Sequence, residues 1–141
     1  MKLRLVHLCF TLVALCSLGA AQQSNVVTIP APRTSAASGK EMYLAYCAAC
    51  HGREGKGNGP VASALKVPPS DLTGLSKRNH GKFPSVQVVN SITGRAGASA
   101  HGSKEMPVWG PIFMNMGHQH ESEARLRVAN LADYIKTLQQ K

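Results

Sequence analysis

A chain of 141 residues has room for one small domain and not two. Only 5% of it is aromatic and 43% hydrophobic, with 13 Gly and 8 Pro; this excludes a multi-span membrane protein but not a cofactor that stands in for a thin apolar core. Sixteen Lys and Arg against seven Asp and Glu give a net charge of +9, which excludes an acidic disordered tail and favours acidic partners.

Lys2 and Arg4 open the chain, residues 5–18 are apolar apart from His7, Thr11 and Ser17, and Gly19-Ala20-Ala21 supplies small residues. This pattern predicts a signal peptide over residues 1–21, cleaved near Ala20/Ala21, and a periplasmic protein. The apolar run is shorter than the roughly 20 residues of a spanning helix, so an uncleaved membrane anchor is the weaker reading. A lipoprotein is weaker still, because Leu15 precedes Cys16 where a small residue is expected. Lys2, Arg4, Cys9 and Cys16 leave with the signal, which lowers the charge from +9 to +7 and leaves Cys47 and Cys50. One C-x-x-C pair is no disulfide framework.

Residues 22–37 are polar, contain Pro30 and Pro32, and read as a flexible leader; the domain is expected over residues 38–141. Ser38 followed by Glu41 matches a capping box and predicts a helix from Gly39 to about Cys47. Four glycines between Gly52 and Gly59, then Pro60, exclude regular structure there. A short turn of helix is expected over residues 61–65, and a loop at Pro68-Pro69-Ser70-Asp71. Pro84 as opener and Gly94 as stop favour a short helix over residues 84–93, although its valines also fit alternation. Residues 94–117 read as a long loop with a ligand or a function to hold it. The last segment is a helix: Glu121 and Glu123 begin it, Lys136 and Lys141 end it, and Val128, Leu131, Ile135 and Leu138, with Tyr134, form an apolar stripe.

Cys47-Ala48-Ala49-Cys50-His51 is C-x-x-C-H, the attachment motif of c-type haem. Two thiols three residues apart share one face of a helical turn, so each can form a thioether with one vinyl group of the same porphyrin. His51 then presents its imidazole to the iron, and its second ring nitrogen needs an acceptor to fix tautomer and ring plane. Zinc would want a fourth ligand. A thioredoxin-like pair would want a βαβ pattern, and a plain disulfide leaves His51 and the glycine loop without a role. Candidates for a second axial ligand are His80, His101, Met106, Met114, Met116, His118 and His120. Met106 is preferred, because Pro107 stiffens its loop and a thioether opposite an imidazole raises the reduction potential. His101 is the runner-up.

On these residues the chain resembles a class I mono-haem cytochrome c, over roughly residues 38–138. Gly39 and Tyr43 stand where that family has a glycine and an aromatic that let the N-terminal helix cross the C-terminal one, with Leu131 and Tyr134 opposite. The run from Cys50 to Pro60 and the Met-Pro-x-Trp-Gly of Met106 to Gly110 also match. The resemblance implies an all-α cytochrome c fold, three to four short helices wrapped around one covalently bound haem with long loops. It implies His51 and Met106 as iron ligands, the Pro60 carbonyl as acceptor for His51 Nδ1, and Trp109 as a cofactor-binding residue donating to a propionate. Leu65, Ile92, Trp109 and Phe113 are expected in the haem wall. The octet from Phe113 to His120 departs from the family pattern. Its two Met and two His suit copper, or else Phe113 and Met114 pack on the haem edge with the histidines in water.

The expected function is a periplasmic electron carrier, not an enzyme, that cycles one haem iron between ferric and ferrous. The alternative is a haem-based sensor or peroxidase-like enzyme with a labile sixth ligand, for which His101 is the distal candidate. A third reading makes the chain a subunit of a larger redox complex. Expected partners are redox proteins with acidic docking surfaces, such as an oxidase, a reductase complex or a periplasmic dehydrogenase. Lys40, Lys56, Lys66, Lys77, Arg78, Lys82 and Lys104 are the candidate steering charges. Nucleic acid is not an expected partner, nor is a membrane span expected in the mature chain; a monomer or a complex subunit is.

Overall fold

A computed structural model describes residues 30–95 and 106–140. The signal expected over residues 1–21, His101, Lys104 and Lys141 lie outside them. The described helices all belong to one compact unit, Ala31–Lys141.

Among the described residues that unit holds six α-helices and one 3₁₀ turn and no strand. They are α1 (Gly39–Tyr46), α2 (Ala48–His51), the 3₁₀ turn Ala62–Ala64, α3 (Leu75–Arg78), α4 (Ser85–Thr93), α5 (Trp109–Met116) and α6 (Glu121–Thr137). The all-α expectation holds. The helices are more numerous than three or four, and α6, with 17 residues, is not short.

α1 starts where the cap places it. Ser38 Oγ accepts the Glu41 backbone N–H at 3.2 Å, satisfying one of the orphan donors of the first turn. The return arm of the capping box is displaced: Glu41 Oε2 accepts from the Ser35 N–H at 3.3 Å rather than from Ser38. α1 buries Met42, Tyr43 and Tyr46, and α6 buries Val128, Leu131 and Ile135 on the predicted stripe, with Ala124, Arg127 and Ala132 beside it. Met42, Tyr43 and Leu131 are fully inaccessible, each worth about 1.5–3 kcal/mol of burial.

The α1–α6 crossing is close because Gly39 has no side chain. A Cβ there would overlap the Asn130 carbonyl oxygen and lie 2.9 Å from Tyr134 Cβ. The Tyr43 and Tyr134 rings then meet at 5.3 Å between centroids. The positions matched through the resemblance do bring the two helices together.

α4 forms over Ser85–Thr93 with Pro84 at its N-cap and Gly94 as a left-handed C-cap. Its inward pair is Val88 and Ile92, one helical turn apart, while Val86 points out at 72% exposure. The loop expected over residues 94–117 is corrected by α5, which takes Trp109–Met116. Gly110-Pro111 reads as a breaker, but both residues lie in the first turn, where a missing N–H breaks no helical bond. α5 stops at Met116, and the turn after it carries His118 and Gln119, both with positive φ; the Gln119 N–H returns to the Met114 carbonyl at 2.9 Å. The octet from Phe113 to His120 is thus the second half of a helix and the turn into α6.

The leader is fastened over residues 31–37, unlike the flexible segment expected for 22–37. Arg127, 6% exposed, donates Nη1 to the Thr34 carbonyl at 3.0 Å and to Thr34 Oγ1 at 3.2 Å. Its Nη2 and Nε reach Glu123 Oε1 at 2.8 and 3.1 Å. A guanidinium can be buried because nearly every donor is used. Asn130 donates to the Ala36 carbonyl at 2.8 Å, and the Tyr46 hydroxyl to the Pro32 carbonyl at 2.7 Å.

Candidate functional site

The C-x-x-C-H residues sit directly after α1. Cys47 caps α1 and opens α2, the single turn that ends in His51. The Cys50 and His51 backbone N–H groups both return to the Cys47 carbonyl, at 3.1 and 2.8 Å. That turn puts the two sulfurs and the imidazole on one side. The sulfurs are not joined; Cys47 is buried and Cys50 partly so. Burial, and secondarily the charge of Cys50, pushes the Cys47 thiol up to about 12, so it stays protonated at neutral pH.

The glycine loop folds back beneath this turn. The Gly57 N–H donates to the His51 carbonyl at 2.8 Å, and Gly59 and Val61 donate to Cys50 and Ala49 at 3.0 and 3.1 Å. The Pro69 carbonyl runs so close to Gly57 that no Cβ would fit. The following residue, Ser70, presents its carbonyl to His51 Nδ1 at 2.9 Å.

This corrects the assignment of Pro60. The acceptor for Nδ1 is the Ser70 carbonyl, 19 residues from His51. Pro60 is exposed and lines no part of the site. The glycine loop carries it past the cysteine turn and into the 3₁₀ turn. The only signal for Ser70 is the Pro68-Pro69 pair before it, which holds the chain extended.

Two cavities share Cys47, His51, Ser70, Met106 and Trp109 in their walls. The first has about 610 Å³ of empty volume, open mouth included, and adds Cys50, Tyr46 and Leu65. The second has about 830 Å³ and adds Leu72, Leu75, Val88, Ile92 and Ile135. Two thiols, an imidazole and a thioether in one mostly apolar wall fit the donor set and the face of a haem.

Met106 is half-buried and lines both cavities. The other described candidates for an axial ligand lie elsewhere. His80, His118 and His120 are exposed. Met116 Sδ is 3.6 Å from the Tyr46 hydroxyl, and Met114 lines a separate groove between α4, α5 and α6. The thioethers of the octet pack on the core while its histidines face solvent. No group of three or more His, Cys, Asp or Glu side chains able to hold a metal occurs among the described residues.

Trp109, 8% exposed, meets Tyr46 at a tilt, 4.8 Å between centroids, and stacks on Phe113 at 5.8 Å. Leu65, Ile92 and Trp109 line the cavities as expected. Phe113 does not: it is fully buried among the aromatic rings behind Trp109. Tyr46 takes the wall position that the sequence left unnamed. Of the steering candidates, Lys40, Lys66, Lys77 and Lys82 are exposed. Lys56 pairs with Glu54 at 2.6 Å, and Arg78 donates to the Asp71 carbonyl.

A family model described as Cytochrome c matches residues 36–139. Comparison with curated proteins and with solved structures gave no match.

Proposed function

The chain belongs to the cytochrome c family, and on that premise we propose that it is a periplasmic electron carrier whose haem c is ligated by His51 and Met106. Membership brings covalently bound haem c and haem-based electron transfer with redox partners. The group supplies a one-electron ferric–ferrous couple when bound. Cys47 and Cys50 hold it through their sulfurs. His51 commits Nδ1 to the Ser70 carbonyl, so coordination falls to Nε2. Met106 supplies a thioether that favours the ferrous state. Trp109 and Tyr46 form part of the wall with tilted, touching rings.

One observation carries the reading: of the described candidates for a second ligand, Met106 alone lines the cavities that Cys47 and His51 line. A thioether in the wall that also holds Cys47 and His51 would take the sixth position when haem is bound, which favours a carrier over a sensor or peroxidase. The exposed lysines give the protein a positive surface that speeds encounter with acidic redox partners and makes the rate fall with salt. No described helix is long and apolar enough to cross a membrane.

The test is a redox titration of the haem-loaded protein with and without carbon monoxide. One reversible one-electron wave, unmoved by carbon monoxide, supports the carrier. A wave displaced by carbon monoxide makes the sensor or peroxidase reading the better one.

A further inference from the structure

The Ser70 carbonyl that holds His51 belongs to an exposed stretch outside any helix, so its aim depends on what fastens the chain around it. The Ser70–Asp71 peptide is a rigid plane; fixing Asp71 therefore fixes the direction of the Ser70 oxygen. Asp71 is fixed by its own carboxylate. Oδ1 accepts the Thr73 backbone N–H at 2.8 Å and the Thr73 hydroxyl at 2.6 Å. Thr73 is only 4% exposed, so the hydroxyl committed to this turn is anchored in the core.

The same stretch is tied at four further points, one of them the bond from Arg78 Nη2 to the Asp71 carbonyl. The Leu72 N–H donates to the Gly55 carbonyl at 2.7 Å, and the Gln140 N–H to the Thr73 carbonyl at 3.0 Å. The Gln139 side chain bridges the Leu72 carbonyl and the Ser76 N–H, both at 2.8 Å. These bonds hold the stretch as a whole. The carboxylate turn holds the one peptide that faces the imidazole. Thr73's donors also keep the Asp71 carboxyl below the usual carboxylate range, with the hydroxyl contributing most.

We propose that the Asp71–Thr73 turn is a positioning device for His51. By aiming the Ser70 carbonyl at Nδ1–H, it sets the electron density of the imidazole and so the balance between ferric and ferrous haem. A firmer Nδ1–H···O bond makes Nε2 a stronger donor and favours the ferric state; a loosened one favours the ferrous state. Asp71 and Thr73 act through Ser70. The proposal rests on the reading of His51 as axial ligand.

The test uses the haem-loaded full chain and four variants: Asp71→Ala, Asp71→Asn, Thr73→Val and Thr73→Ser. Asn keeps an Oδ1 acceptor without the charge, and Ser keeps the hydroxyl. The turn predicts that Asp71→Ala and Thr73→Val raise the reduction potential, lowering the ferric-to-ferrous ratio at fixed poise about threefold, the effect of weakening one hydrogen bond. Solvent exchange of the His51 Nδ1 proton, followed by NMR in the ferrous state, accelerates in the same two variants. Asp71→Asn and Thr73→Ser stay near wild type in both readouts. If Asp71→Asn moves the potential as far as Asp71→Ala, the carboxylate acts by its charge and the positioning role is overturned. Variants that lower only the melting temperature, with potential and proton exchange unmoved, overturn it too. A wild-type protein without His51-ligated haem would sink the underlying reading. A correctly loaded wild type with four indistinguishable variants sinks the turn alone.

Discussion

Replacing Gly39 with alanine puts a methyl group into the crossing of α1 and α6. The new Cβ overlaps the Asn130 carbonyl oxygen and lies 2.8 Å from the Asn130 carbonyl carbon, where ordinary contact begins at 3.4 Å. Both neighbours are backbone, so no flexible side chain can swing away. The helices must separate by roughly 1 Å, which loosens a close-packed contact. Overpacking of this kind costs about 1–3 kcal/mol. Alanine returns at most about 1 kcal/mol of helix propensity, and less at the first helical position. The expected net loss is about 2 kcal/mol, a fall of about 10 °C in Tm for a domain of this size. Far-UV circular dichroism on heating the haem-loaded protein reads it directly. An unchanged or higher Tm in Gly39→Ala would refute the close crossing.

Arg127→Met keeps the apolar stem but leaves the Thr34 carbonyl and Glu123 without their donor; we expect a loss of about 2 kcal/mol in urea unfolding, with increased proteolysis near residues 31–37 as the second readout. Ser38→Ala removes the Oγ bond to the Glu41 N–H and is expected to cost about 1 kcal/mol by the same measurement. Met106→Ala is expected to leave the haem covalently bound but open to carbon monoxide; a carbon monoxide difference spectrum identical to that of wild type would remove Met106 from the ligand set. The Asp71 carboxyl is held low in the folded protein by Thr73, so its contribution is present above the unfolded pKa and is lost as pH falls through the folded one. Asp71→Asn should therefore flatten the acid limb of the stability–pH curve below about pH 4, and an unaltered limb would assign acid unfolding to other groups.

The parts of the site legible in the sequence are those whose chemistry lies in consecutive residues. Cys47, Cys50 and His51 are read together because one helical turn places all three. Met106 is read from Pro107 beside it. α1 and α6 are read from a cap, a charge gradient and an apolar stripe. Ser70 is not legible, because its contribution is a backbone carbonyl that every residue possesses and its partner is far away in the chain. The resemblance supplied Pro60 instead, and the glycine loop takes that residue elsewhere. α5 was hidden by Gly110-Pro111, whose penalty vanishes in a first turn. The hold of Arg127 and Tyr46 on residues 32–34 also leaves no periodic trace, since both donate to whatever carbonyl the chain brings.

The most direct measurement is the visible spectrum of the haem-loaded protein, ferric and ferrous, before and after carbon monoxide. Covalent haem ligated by His51 and Met106 predicts a low-spin spectrum with the weak long-wavelength sulfur-to-iron band in the ferric state, unmoved by carbon monoxide. A high-spin spectrum, or ready carbon monoxide binding by the wild-type protein, would contradict it and make the iron an open binding site.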